Sequence, residues 1–146
     1  MVEKKICVFS LSKRDEAFRH KDMERAKNWL VNKDEKPFYF AEISPKDGLP
    51  TGSIVLFSFD AQIFGQATVK EDVKEVPFEE QEIRRKMGKT VYKHSMILNG
   101  ASIEIFPYNP TKKEITEKLD IRFGQVLRYL NPKQYQGILK MAKRRP

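Results

Sequence analysis

Alternating apolar and polar positions predict strands over the first two thirds of the chain. The clearest stretch is 54–72, IVLFSFDAQIFGQATVKED, which is apolar on both faces before a short turn and half polar after it. This contrast is typical of a buried strand followed by a strand with one exposed face. The predicted strands are KKICVFS (4–10), PFYFAEI (37–43), GSIVLFSFD (52–60), QIFGQATV (62–69), KTVYKHSMIL (89–98) and ASIEIFPY (101–108). Six strands predict a strongly curved sheet or small barrel.

Two tight turns are predicted between these strands. Asn99-Gly100 is a strong hairpin signal, because both central positions of a type I′ turn need positive φ. Asp60-Ala61-Gln62 is a weaker turn of the same kind. A two-residue hairpin turn implies that the strands on either side of it pair with each other.

Helical spacing appears between and after the strands. Met23, Ala26 and Leu30 fall at i, i+3 and i+7 and predict a helix from about Lys21 to Lys33. Trp29 lies beside this apolar stripe, which places it at the rim of the buried face. Residues 79–87 are predicted to form a short polar helix or an irregular excursion.

Two further helices are predicted near the C terminus, where they are expected to cover an open side of the sheet. The first contains Phe123, Val126, Leu127 and Leu130 at helical spacing. Asn131 then caps the second and Pro132 opens it. The apolar positions of this second helix are Tyr135, Ile138, Leu139 and Ala142.

Length and charge narrow the class of protein. The 146 residues are enough for one core, so a single domain over 1–146 is expected. A formal net charge of +8 favours a polyanionic partner such as nucleic acid or an acidic membrane surface. The alternative is a solvated, lysine-rich surface of the kind found in heat-adapted proteins. The basic tail KMAKRRP leads into a further domain or is a frayed end.

The single cysteine and the lack of a long apolar segment indicate where in the cell the protein is expected. Cys7 lies in the apolar run ICVF, has no second cysteine to pair with and is predicted to be a buried strand residue. No run approaches the ~18 apolar residues of a membrane helix, and MVEKK does not resemble a signal peptide. A soluble, cytoplasmic protein with no membrane partner is expected.

The motifs of catalysis and metal binding are missing from the sequence. There is no CxxC, HExxH, GxxxxGK[ST] or GxGxxG, and the chain has only two histidines. No enzyme activity, metal or other cofactor is therefore expected.

Aromatic residues close to cationic segments favour nucleic-acid binding instead. Lysine and arginine neutralise phosphates without reading sequence, while aromatic faces accept stacked bases. The predicted contacts to the nucleic-acid backbone are Lys13, Arg14, Arg19, Arg84, Arg85, Lys89 and Lys93.

The order of these elements resembles the YTH and EVE domains of the PUA-like superfamily. The likeness runs through FSLS, a basic helix with a late tryptophan, LFSFDAQIFGQATV, GKTVYKHSMIL and FGQVL. In this pattern Gly65 permits close backbone packing where a side chain would clash. The resemblance implies a PUA-like α+β fold, with a curved six-stranded sheet or small barrel flanked by helices.

The resemblance also implies a function. Such domains occur at the N terminus of McrB-type modification-dependent restriction proteins, where they flip a methylated base of double-stranded DNA into an aromatic-lined pocket. A GTPase motor domain fused to this chain is then expected in the full-length protein. The implied base pocket consists of Ser10, Leu11, Ser12, Trp29, Tyr39, His94, Ser95 and Met96.

The identity of the base follows from the same comparison. LFSFDAQIFGQATV is more similar to YTH readers, which recognise N6-methyladenine, than to EVE modules, so N6-methyladenine is favoured over methylcytosine. Met96 stands where YTH readers place a cage tryptophan, which gives a less rigid wall. Three alternatives remain: an RNA-binding PUA-like module, an ASCH-like hydrolase acting on a modified nucleoside, and a protein interaction module with an incidental basic surface.

Overall fold

A computed structural model describes residues 4–11, 22–33, 37–40, 49–89, 91, 94–123 and 127–143. The strands are β1 (Ile6–Leu11), β2 (Pro37–Phe40), β3 (Ile54–Phe59), β4 (Gln62–Glu75), β5 (His94–Leu98), β6 (Glu104–Ile105) and β7 (Leu127–Leu130). The helices are α1 (Met23–Val31), α2 (Phe78–Lys86), α3 (Lys112–Leu119) and α4 (Pro132–Ala142). The longest of these helices has 11 residues, about half of what a membrane span needs.

The strands form one curled, half-barrel sheet of the predicted α+β class. Their order is β2-β5-β4-β3-β1-β7, with the two-residue β6 paired to β4 beside this path. β1 and β3 run parallel, from Ile6 opposite Ile54 to Leu11 opposite Phe59, and the remaining pairs are antiparallel. The parallel pair brings the C-terminal ends of β1 and β3 to the same edge of the sheet.

The long strand β4 curls the sheet. Irregularities between Phe57 and Ser58 and between Val69 and Lys74 interrupt its ladders with β3 and β5. Bulges of this kind bend a strand and increase its twist. As a result, β4 pairs with β3 through its first half and with β5 through its second.

Two apolar cores form on opposite faces of the sheet. On β1, Cys7, Phe9 and Leu11 enter one core together with α1, whereas Val8 enters the other core with α3 and α4. This division follows from the period of two along a strand. Cys7 is fully buried, as predicted, and burial raises the pKa of its thiol to about 12.

Gly65 on β4 sets the distance between the sheet and α1. A Cβ built on this glycine would lie 2.8 Å from the Glu104 carbonyl oxygen and 2.9 Å from Leu30 Cδ2. The prediction that Gly65 allows close packing is therefore confirmed, and the contact involves both β6 and the helix α1.

The turn predictions have opposite outcomes. Asp60 and Ala61 have φ of 51° and 59° and join β3 to β4, so the turn predicted there is confirmed. The hairpin predicted at Asn99-Gly100 is wrong. Asn99 has φ −76° and caps a short 3₁₀ helix, Gly100–Ser102, while the strands on either side both pair with β4.

Some of the helix predictions are confirmed and others are wrong. Helices α1, α2 and α4 lie close to their predicted positions, and Asn131 caps α4 in a capping box with Gln134. The helix predicted around Leu127 and Leu130 is wrong, because these residues form strand β7 along β1. The strand predicted over 101–108 is reduced to the two residues of β6, and α3 is an element that the sequence analysis did not predict.

Candidate nucleic-acid interface

Trp29 is the predicted pocket wall that the structure describes most fully. Asp22 starts α1 by accepting a hydrogen bond from the Arg25 amide, and the last turn of the helix brings Trp29 over the sheet. The indole is half-buried and meets the Phe57 ring edge-on at 5.9 Å between centroids. Lys33 Nζ lies 5.3 Å from the centroid of the indole. Trp29 is therefore an aromatic side chain held by neighbours and still partly open to solvent.

Leu11 and Met96 lie in the core against which Trp29 packs. Their side chains are 7% and 1% exposed, so in this conformation they form the base of the cluster rather than an open wall. Met96 pairs with Phe38 in the β2–β5 ladder. The structure therefore brings Leu11, Trp29 and Met96 together in one apolar cluster.

The other predicted pocket residues of β2 and β5 lie opposite one another. Tyr39 pairs with Ser95, and Phe40 pairs with His94. His94 and Ser95 are half-buried, and the alternation of β5 places them on opposite faces of the strand. For Tyr39 the structure describes the backbone position and not the side chain.

Ser10 faces away from Trp29, toward α3. Its Oγ accepts hydrogen bonds from Ser58 Oγ at 3.1 Å and from Lys112 Nζ at 2.7 Å. Lys112 is the first residue of α3 and is half-buried, and Nζ also lies 5.5 Å from the centroid of the Phe123 ring. Desolvation lowers the pKa of this amine. Sequence reasoning missed Lys112 because its contact with Ser10 spans 102 positions.

Three of the predicted backbone contacts lie at the C-terminal end of α2. Arg84 and Arg85 are in its last turn, and Lys89 follows the helix and is exposed. Arg85 forms an ion pair with Glu82. Three large apolar side chains on or next to this helix are also exposed: Phe78, Ile83 and Met87. Helix α2 therefore combines positive charge at its C-terminal end with exposed apolar side chains along its length.

The remaining predicted contacts lie outside the described residues. They are Ser12 of the base pocket and Lys13, Arg14, Arg19 and Lys93 of the backbone contacts. Their assignment stays a prediction, as do the roles of the site residues that the structure places.

Comparison with known proteins identifies the fold. No family model matches the sequence, and no curated protein is similar to it in sequence. Among solved structures, an ASCH protein from Zymomonas mobilis is 11% identical with a TM-score of 0.65, over 99% of this chain and 100% of that one. Human THYN1 in complex with DNA containing 5-methylcytosine is 8% identical with a TM-score of 0.65, over 98% and 100% of the two chains.

A third similar structure is the N-terminal domain of Thermococcus gammatolerans McrB bound to m5C DNA. It is 13% identical with a TM-score of 0.59, and the match covers 96% of this chain and 98% of that one. At these identities the likeness concerns the fold. The chain has the PUA-like fold of ASCH and EVE domains, as the sequence analysis predicted.

Proposed function

We propose that this domain binds double-stranded DNA and recognises a methylated base by flipping it into a pocket beside Trp29. The observation that carries the proposal is a half-buried indole, fixed edge-on against Phe57 and next to Lys33, on a chain with net charge +8. Two proteins of the same fold bound to methylcytosine DNA support it. Aromatic faces bind bases, and the cations around them bind phosphates.

In base flipping, the aromatic pocket and the surrounding cations contribute differently to the binding free energy. Extruding a base costs a few kcal/mol of stacking and pairing. Stacking on one aromatic side chain returns roughly 1–3 kcal/mol. A buried methyl group adds ~0.8 kcal/mol when the pocket wall fits it closely. The cations then supply binding that does not depend on the modification, and the pocket supplies the preference for the methylated base.

N6-methyladenine is the proposed base. The likeness of residues 56–69 to YTH readers supports this choice, and a purine offers a larger face to Trp29 than a pyrimidine does. Met96 is buried in the cluster against which Trp29 packs, where its flexible thioether can adapt to an N6-methyl group. The competing base is 5-methylcytosine, which the DNA bound to THYN1 and to the McrB domain contains.

The domain is further proposed to act as the reader of a modification-dependent restriction protein. Its likeness along nearly the whole length of the N-terminal domain of McrB supports this role. In such a protein the residues 1–146 choose the DNA site, and a fused GTPase motor acts on it. The full reading frame of the gene tests this part of the proposal directly, since it either encodes a downstream GTPase or does not.

The binding test uses duplexes that differ at one base: adenine, N6-methyladenine, cytosine or 5-methylcytosine. Measured at a salt concentration that suppresses background binding, the N6-methyladenine duplex is expected to bind tightest. Trp29→Ala should remove this preference and leave the salt-dependent background. Val31→Ala, at an exposed position of the same helix, is the matched control and should behave as wild type.

Three results would contradict the proposal. Tighter binding of the 5-methylcytosine duplex would reject N6-methyladenine and keep the flipping mechanism. Equal losses on all four duplexes in Trp29→Ala, with an unchanged melting temperature, would remove Trp29 from the pocket. Stronger binding of a matched RNA would favour the RNA-binding alternative.

The Lys112–Ser10 hydrogen bond favours a second candidate, a hydrolase acting on a modified nucleoside. A lysine whose pKa is lowered by burial can act as the base for a serine hydroxyl, as in Ser–Lys hydrolases. Turnover of acylated nucleosides that is lost in Ser10→Ala and Lys112→Met would establish this activity. No turnover above background is expected for a DNA reader.

A further inference from the structure

We infer that Ser10, Lys112 and Arg128 form a phosphate-binding site on the face of the sheet that carries α3 and α4. Two sources of the phosphate are open, the backbone of bound DNA and a free nucleotide. In the first case the inference rests on the proposed function. The site lies on the opposite face of β1 from Trp29, so it is separate from the base pocket.

The positions of the three side chains follow from strand register. Val8 packs into the α3–α4 core, and Arg128 is its partner across the β1–β7 ladder, so both side chains are on that face. Ser10 is two residues beyond Val8 and lies on the same face, about 7 Å further along β1. Lys112 reaches this point from the start of α3 and donates to Ser10 Oγ at 2.7 Å. Lys112 and Arg128 therefore lie on the same face of the sheet as the Ser10 hydroxyl.

The hydrogen bonds leave several donors unused. Ser10 Oγ accepts from both Ser58 and Lys112, so its own proton remains to be donated. Lys112 keeps two further N–H donors. Arg128 Nε is a buried atom with no hydrogen-bond partner in the described part of the chain. Ser58 is 1% exposed, and its hydroxyl donates a hydrogen bond to Ser10 Oγ.

Among the described residues, no carboxylate pairs with the charges at this place. None of the ion pairs between described residues includes Lys112 or Arg128. Both side chains are partly buried, and a buried cation without an anionic partner is unfavourable. A ligand with negative charge and several acceptor oxygens satisfies both the charge and the unused donors. A phosphate group has this chemistry, and guanidinium and ammonium groups are its usual partners in proteins.

The first experiment needs no DNA. Thermal unfolding is followed at constant ionic strength while inorganic phosphate replaces chloride, in the wild type and in Lys112→Met, Arg128→Met and Lys113→Met. Phosphate stabilises most proteins by exclusion from their surface, so only the difference between variants counts. Lys113 is the matched control, because it is the exposed neighbour of Lys112 on the same helix. A smaller rise in melting temperature is expected in Lys112→Met and Arg128→Met, and the full rise in Lys113→Met.

Equal rises in melting temperature on addition of phosphate in all four proteins would contradict the proposed phosphate-binding site. Without phosphate, Lys112→Met should melt at or above the wild-type temperature, since it removes a partly buried charge. A lower melting temperature together with an unchanged phosphate response would assign Lys112 a structural role only.

The second experiment identifies the source of the phosphate. With an unmodified duplex, the slope of log affinity against log salt should fall by about one in Lys112→Met. A slope equal to that of the wild type would exclude the DNA backbone as occupant. If the phosphate response is present but no protein binds DNA, the proposed function is wrong and the site binds a free phosphorylated ligand. The two failures are therefore distinguishable.

Discussion

Replacing Gly65 by alanine tests how the structure places Trp29. The new Cβ would lie 2.8 Å from a backbone oxygen of Glu104 and 2.9 Å from Leu30 Cδ2. Real Cβ atoms essentially never approach other atoms this closely, so both the backbone of β6 and the Leu30 side chain must shift. The Leu30 methyl group is the end of a flexible side chain and can move, whereas relief of the Glu104 contact requires a shift of the β6 backbone.

The expected loss of stability can be estimated from this overlap. Overpacking by one carbon costs about 1–3 kcal/mol. The lower entropy of the unfolded alanine chain returns about 0.4–1 kcal/mol. A net loss of about 1–2 kcal/mol corresponds to a fall of about 2–8 °C in the melting temperature for a domain of this size. Displacement of Leu30 should also loosen the neighbouring Trp29 and reduce the preference for the methylated base.

Thermal and urea unfolding measure the loss of stability in Gly65→Ala, and Gly137→Ala is the control. Gly137 lies inside α4, where a Cβ would meet only the flexible Leu119 side chain at 3.0 Å. Alanine favours a helix interior by roughly 0.5–1 kcal/mol, so this variant should be neutral or more stable. A melting temperature of Gly65→Ala within about 1 °C of the wild type would refute the close contact between Gly65 and the backbone of β6.

Three further predictions concern charge, the buried thiol and a helix cap. If about five phosphates are contacted, log DNA affinity should fall with log salt at a slope near −4.5, and a flat response would reject electrostatic binding. Because the folded pKa of Cys7 is raised to about 12, the unfolded chain loses this proton first, and the free energy of unfolding should decline between about pH 9 and 12. Urea titrations should show a smaller decline in Cys7→Ala; equal declines would contradict the raised pKa. Thr111→Ala removes the cap of α3 and should cost about 1 kcal/mol in urea unfolding, whereas an unchanged midpoint would show that the capping box with Glu114 contributes nothing.

The centre of the sheet was predictable because its determinants are local. In β3 and β4, apolar residues follow each other on both faces, and Asp60 and Ala61 supply a turn with positive φ at both positions. The pairing of Phe59 with Gln62 then fixes the register at the turn. The start of α4 was also predictable from the sequence, because Asn131, Pro132 and Gln134 form a recognisable helix-start signal.

The errors arise where distant contacts outweigh local signals. Leu127 and Leu130 are three positions apart, which suits a helix, but residues 127–130 pair along their whole length with β1. At Asn99 the side chain accepts a hydrogen bond from the Ala101 amide and stabilises the 3₁₀ turn instead of a hairpin. Helix α3 did carry a local signal, the Thr111–Glu114 capping box, which the sequence analysis left unused.

The site combines both kinds of information. Trp29 is visible in the sequence, because it follows the apolar stripe of α1, and its contact with Phe57 depends on how that helix crosses the sheet. Lys112 has no such signal: it is one lysine of two in TKKE, and only its position opposite Ser10 distinguishes it from Lys113. A residue whose role depends on a contact 102 positions away in the sequence cannot be identified from the spacing of residues along the chain.

Strand β1 connects the two faces of the proposed interface. Phe9 and Leu11 enter the core that supports Trp29, while Ser10 between them faces Lys112. Alternation along the strand therefore puts the residues of the proposed base pocket and of the proposed phosphate site on opposite faces of the sheet. In a flipped nucleotide, base and phosphate also point in different directions from the sugar. The proposed base pocket and the proposed phosphate site would therefore contact different parts of the bound DNA, and substitutions at Trp29 and at Lys112 should change binding independently of each other.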